Sequence, residues 1–204
     1  IAGKAAELRA EGLPYCHQVV LFRSAYVSIP LQMELKKQGI PFTVFGGMKF
    51  YETAHVKDLI SHLRVIANSK DDLSWLRILS LLEGVGPKTA RNILTNINFD
   101  LEFCVGVTSS FAKFSQGKKY AQELSELGVA LSGAGSPEKS VYESFCILLD
   151  YYLPLLKQKY DDWPQRISDL EVMKEITNKY ASLRDFLADF TIDPPEKNGS
   201  PGDS

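Results

Sequence analysis

Apolar side chains recur every three or four residues along most of this chain, and that spacing predicts a mainly α protein. Val56, Leu59, Ile60, Leu63 and Ile66 form one stripe. Ala90, Ile93, Leu94 and Ile97 form a second, and Val141, Phe145, Leu148, Leu149, Tyr152 and Leu156 a third. Leu183, Phe186, Leu187 and Phe190 repeat the pattern. Ser136-Pro137-Glu138 joins a capping hydroxyl, a first-turn proline and an early acid, so it reads as a helix start. Pro164 reads as a first-turn residue of another helix. Residues 51–190 are therefore expected to form an all-helical domain.

The first fifty residues follow another pattern. Residues 4–11 read as the end of a helix. Gln18 to Phe22 is an apolar run suited to a buried strand. Leu31 to Lys37 looks helical, with Gly39 stopping it, and Pro41 to Phe45 reads as a second strand. This β-α-β stretch, residues 1–50, is too small to stand alone and reads as a piece of a larger α/β sheet. Residues 191–204 hold little beyond polar side chains, Gly and Pro, and are expected to be a disordered linker.

Composition sets limits on partners. The 204 residues are 45% hydrophobic and 24% charged, the balance of a globular protein with a real core. No run approaches the ~20 apolar residues of a membrane span. The chain opens on Ile1 rather than Met, and is expected to be a piece of a longer protein. Cys16, Cys104 and Cys146 are scattered without CxxC spacing, as free thiols in a reducing cytoplasm would be, and no metal site is expected. The net charge of −2 hides a split. Residues 1–120 carry 15 Lys and Arg against 10 Asp and Glu, whereas residues 121–204 carry 8 against 15. Any contact with a polyanion is therefore expected in the first 120 residues.

Two glycine-bearing junctions carry the candidate chemistry. Phe45-Gly46-Gly47-Met48-Lys49-Phe50-Tyr51 places a cation between aromatic faces at a strand-to-helix junction. Glu83-Gly84-Val85-Gly86-Pro87 separates two helical segments, Leu73–Leu82 and Lys88–Ile97, in the shape of a helix-hairpin-helix element. Glycine allows a tight turn and close backbone approach. Proline at the head of the second helix leaves free amides pointing outward, a ready anion site. Lys88 and Arg91 add charge and Thr89 a hydroxyl. Phosphates look alike along DNA, so such a turn binds without reading sequence. A plain helix-helix connection bent at glycine is the other reading. The turn is not a P-loop: one residue separates Gly84 from Gly86, and Pro87 precedes Lys88-Thr89.

These blocks resemble the superfamily 1 DNA helicases of the UvrD/Rep/PcrA type. Leu21-Phe22-Arg23-Ser24 is similar to the family's LYRSN strand end. Ile40 to Asn68 is similar to its GGxxF and EIKD block, and Arg77 to Thr89 to its RxxNxPxRGIGxxT block. The resemblance implies part of the second RecA-like motor domain (2A, residues 1–50), then the helical 2B accessory domain (residues 51–190). It implies single-stranded DNA contact at Arg23, Ser24 and Lys49. It implies duplex contact at Gly84, Val85, Gly86, Lys88, Thr89 and Arg91. It implies a 3′-to-5′ helicase parent that uses ATP and Mg in DNA repair or replication. The parent's remaining motor domains would be partners. The P-loop, the magnesium-binding acids and the later HxxKGLE motif do not occur here, so the chain alone is expected to bind no cofactor, carry no catalytic residue and hydrolyse no ATP. Three departures matter. Ala25 replaces the asparagine after Arg-Ser, Ile29 falls where a second arginine is expected, and His55 replaces the acid of EIKD. A stand-alone helix-hairpin-helix module and a protein-interaction helical domain remain as alternatives.

Other residues have plainer readings. Lys57 and Asp58 are expected to be two solvated charges, since adjacent helix residues do not face each other. His17 and His62 are expected to be surface or partly buried side chains. Trp75 and Trp163 are expected in the core. Lys113, Lys118 and Lys119 beside Phe111 and Phe114 fit either a DNA-facing cluster or solvated lysines.

Overall fold

The computed structural model describes residues 1–22, 28–44, 53–97 and 103–191. Within them the chain is helical. The order is α1 (Ala2–Ala10), a 3-10 turn at Tyr15–His17, α2 (Ile29–Lys37), α3 (Ala54–Ala67), α4 (Asp72–Leu79) and α5 (Pro87–Leu94). There follow α6 (Phe103–Ser115), α7 (Ala121–Ala134), α8 (Val141–Lys159), α9 (Trp163–Thr177) and α10 (Leu183–Thr191).

Helix α3 is the centre. It packs against α4, α7, α8, α9 and α10, while α6 pairs with α7 and α7 with α8. Val56, Leu59, Leu63, Trp75, Ile78, Phe111, Leu124, Phe145, Leu148, Tyr152 and Phe186 are buried in one continuous core. Such contiguity is what lets short helices persist, since isolated helices of this length are marginal in water. Trp75 anchors α4: its ring meets Phe111 edge-on at 6.2 Å and its indole N–H donates to the Ser69 carbonyl at 2.9 Å.

Local signals set several ends as read. Pro164 lies in the first turn of α9. Gly39 has φ +66, and the Ile40 N–H reaches back to the Leu35 carbonyl at 2.9 Å, closing α2. Others differ. Helix α8 starts at Val141, not after Ser136. Ser140 accepts from the Glu143 N–H while the Glu143 side chain accepts from the Ser140 N–H, a capping box. Ser136-Pro137-Glu138 is the turn before it. Residues 18–22 and 40–44 are extended or irregular, and no strand occurs among the described residues. Val19 is 79% exposed and Leu21 90%. A strand requires a neighbour to satisfy its N–H and C=O groups, and neither run has a ladder partner among the described residues. Phe45 and residues 191–204, apart from Thr191, lie outside the described residues.

Candidate nucleic-acid interface

Asp71 begins the first helix of the candidate interface. Its carboxylate accepts from the Ser74 N–H at 3.1 Å and from the Ser74 hydroxyl at 2.7 Å, capping α4. Trp75, Ile78 and Leu79 face the core. Beyond Leu79 the chain tightens: Leu81 N–H donates to Ile78, Leu82 to Leu79 and Val85 to Leu82. Leu82 and Val85 are buried, which roots the turn. Gly84 sits at φ +75, a conformation that side chains rarely adopt, and no atom lies where its Cβ would be.

Gly86 then caps α5 with φ −82 and ψ 174, and Pro87 opens the helix. No side chain caps the first turn and no acid lies in it. The first intrahelical bond to Gly86 runs from the Ala90 N–H at 2.9 Å. The Lys88 and Thr89 amides precede that bond and belong to the free set at a helix start. Ala90 and Ile93 hold α5 to the core. Lys88 and Arg91 are exposed and Thr89 half-buried. Neither Lys88 nor Arg91 pairs with a carboxylate among the described residues. Two free cations, outward amides and the positive end of a helix dipole thus share one corner. The geometry suits an anion held through backbone and charge, with nothing to read a base.

Of the residues expected to contact DNA, Gly84, Val85, Gly86, Lys88, Thr89 and Arg91 are brought together here. Val85 points inward, so it supports the turn and offers no side-chain contact. Arg23, Ser24 and Lys49 lie outside the described residues.

A buried polar hub holds α4, and with it the turn. Asp58 is 1% exposed, contrary to the solvated charge expected of it, whereas Lys57 is exposed. Arg77 Nε donates to Asp58 Oδ1 at 2.7 Å, and a terminal Arg77 nitrogen donates to the Ala54 carbonyl at 3.2 Å. The Tyr152 hydroxyl donates to Asp58 Oδ2 at 2.8 Å, with Lys159 Nζ 3.9 Å away. Burial and the Asp58 carboxylate raise the Tyr152 phenol far above its usual range, so it remains a donor. One carboxylate therefore ties α3 to the last turn of α4 and to α8. Sequence reading missed it because its partners lie 19 and 94 positions away.

Two histidines complete the support. His62 is fully buried, where a surface or partly buried position was expected; His17 is exposed. The His62 Nδ1 hydrogen donates to the Asp58 carbonyl at 2.8 Å, and Nε2 is buried without a partner. Burial lowers its pKa to about 4. His55 Nε2 pairs with Asp169 at 3.1 Å, and Arg166 donates to His55 Nδ1 at 3.1 Å, linking α3 to α9. Arg166 also bonds Asp162 at 2.7 Å and stacks over Tyr160 at 4.0 Å. Trp163, expected in the core, is instead 36% exposed beneath Lys157 at 4.9 Å. A proline-started helix opens in solvent here, so the ring meets the Lys157 ammonium rather than the core.

A cleft of about 210 Å³ separates the turn from the end of α8, lined by Leu81, Glu83, Tyr152, Leu155, Gln158 and Lys159. Among the described residues no cluster of His, Cys, Asp and Glu could hold a metal ion. No described helix is long and apolar enough to cross a membrane. Cys16 and Cys146 are free thiols.

Comparison with known proteins adds an independent finding. Residues 1–193 match the model of the UvrD-like helicase C-terminal domain. The chain is similar to the ATP-dependent DNA helicase PcrA of Staphylococcus epidermidis, 42% identical over 85 residues, which is 41% of this chain and 12% of the relative. It is also similar to PcrA of Staphylococcus aureus, 40% identical over 83 residues, 40% of this chain and 11% of the relative. The aligned part thus spans about an eighth of these curated relatives.

Proposed function

The chain belongs to the UvrD-like helicase C-terminal domain family, and on that premise we propose that it is the DNA-binding accessory region of an ATP-dependent 3′-to-5′ DNA helicase. Residues 1–50 are assigned to the second RecA-like motor domain and residues 51–190 to a 2B-type helical domain. ATP and Mg would be bound by the rest of the same polypeptide, whose motor domains are the partners, acting in the cytoplasm. The Gly84 turn between α4 and α5 is assigned as a helix-hairpin-helix grip on duplex DNA. The observation that carries this is the corner itself: an uncapped, acid-free helix start flanked by two unpaired cations.

Binding of this kind is sequence-neutral and salt-sensitive. Duplex affinity of the chain is expected to be weak, on the order of 10⁻⁴–10⁻⁶ M, and lost as salt rises. Lys88→Ala combined with Arg91→Ala should lower it further while leaving the fold unchanged, because both side chains are exposed and the buried Ala90 and Ile93 are untouched. The measurement is a low-salt duplex titration with circular dichroism as the folding control. Equal affinities for wild type and variant would reduce the turn to a simple connection.

Single-strand contact is assigned to Arg23, Ser24 and Lys49. Lys49 would neutralise a phosphate beside Phe50 and Tyr51, whose rings suit base stacking. Lys49→Ala in the whole helicase should weaken single-strand binding and flatten its salt dependence. An unchanged salt slope would remove Lys49 from the assignment.

A further inference from the structure

We propose that Lys113, Lys118 and Lys119 form a second phosphate-contacting surface for duplex DNA, separate from the Gly84 turn. This rests on the reading of the chain as a duplex-gripping region.

The corner between α6 and α7 is firmly built. Gly128 on α7 lets the helices approach, since a Cβ there would stand 3.1 Å from the Phe111 ring. Phe111 is buried and Phe114 packs partly buried against the same core. Helix α6 ends at Ser115, and Gly117 follows at φ +68. The Lys118 N–H donates to the Ser115 carbonyl at 2.9 Å, and the Ala121 N–H to the Lys118 carbonyl at 3.2 Å. The corner is therefore tight, and Phe111, through Trp75, joins it to the helix that leads into the Gly84 turn.

All three lysines are exposed, and none of their side chains has a carboxylate or hydrogen-bond partner among the described residues. Lys4, Lys139 and Lys174 differ, each paired with a glutamate three or four positions away. Residues 103–122 contain these three lysines and no Asp or Glu. Three unpaired ammonium groups within residues 113–119 repel one another, and a polyanion would relieve that repulsion while releasing its own counterions.

The orientation of the aromatics selects the duplex. Single-strand sites combine cations with exposed rings on which bases stack. Here the Phe111 ring is turned inward and Phe114 is largely covered, which leaves phosphate contact as the available chemistry.

The test uses the full chain, a labelled random-sequence duplex and the matching single strand, titrated across salt. If all three lysines meet phosphates, replacing each with Ala should reduce the slope of log affinity against log salt by about 2.7. Between about 50 and 200 mM salt the wild type would then lose about 40-fold more affinity than the variant. Replacing each with Arg should retain the slope, since charge is kept. An unchanged duplex slope in the alanine variant, or a loss confined to the single strand, overturns the proposal. Lys88→Ala with Arg91→Ala, run in parallel, separates the two ideas. If that pair alone lowers the slope, the turn assignment stands without the lysine corner. If neither variant does, both fall.

Discussion

Replacing Asp58 with alanine is expected to lower the stability of this chain by roughly 3 kcal/mol, within the range for breaking a buried ion pair from one side. At this chain length that corresponds to a fall in Tm of about 6–12 °C. The partners would be affected unequally. Arg77 has 36% of its side chain exposed and can turn toward water, whereas the Tyr152 hydroxyl is buried and would lose its acceptor. An orphaned buried hydroxyl costs about 1–3 kcal/mol by itself. Asp58→Leu combined with Tyr152→Phe should therefore be less damaging than Asp58→Ala, because no buried polar atom of the pair is left unmatched. Thermal melts followed by circular dichroism decide the matter. A Tm change under about 2 °C for Asp58→Ala would show that the hub contributes little. Since Arg77 lies in the last turn of the helix that leads into the Gly84 turn, the variant should also weaken duplex binding below its melting range.

Acid should destabilise the fold through His62. Its pKa is about 4 in the folded chain against 6.5 for an unperturbed histidine, with burial as the largest cause. The sign follows from which state takes the proton. Above pH 6.5 the imidazole is neutral in both states and exerts no pH dependence. Below 6.5 the unfolded chain binds a proton that the folded chain refuses, so stability falls until the folded form also titrates near pH 4. By pH 4.5 the loss should be roughly 2.5 kcal/mol. The protonated ring would place charge between Tyr151 and Tyr152, whose ring centroids lie 5.7 and 6.1 Å away. Urea unfolding of wild type and His62→Phe at neutral and acid pH isolates this term from other titrating groups. If the stability difference between the two proteins is the same at both pH values, His62 is not the acid-sensitive group.

What could be read without coordinates was local. The apolar stripes predicted α3, α5, α8 and α10, because a helix registers its buried face every third or fourth residue. Pro164 and Gly39 marked helix ends, since their effects act within a turn of the residue itself. The outward cations of the Gly84 turn were legible for the same reason. Local signals also misled where two competed. Ser136 and Ser140 both offer a capping hydroxyl, and Glu143 three positions beyond Ser140 closes the reciprocal pair.

Long-range contacts decided the rest. A stripe predicts one buried face, yet α3 buries His55, Asp58, Ser61 and His62 as well, because other helices cover it on several sides. Asp58 next to an exposed Lys57 looks like any solvated pair until Arg77 and Tyr152 arrive from distant helices. The extended or irregular runs at residues 18–22 and 40–44 show the converse, since an apolar run cannot make a strand without a neighbouring ladder. Sequence alone therefore determined the helices that carry a clear apolar stripe, where Gly39 and Pro164 mark helix ends, and where free cations gather, since each depends on neighbours within about one turn. The tertiary structure alone decided which polar groups are buried and paired, because that depends on which helix faces cover one another.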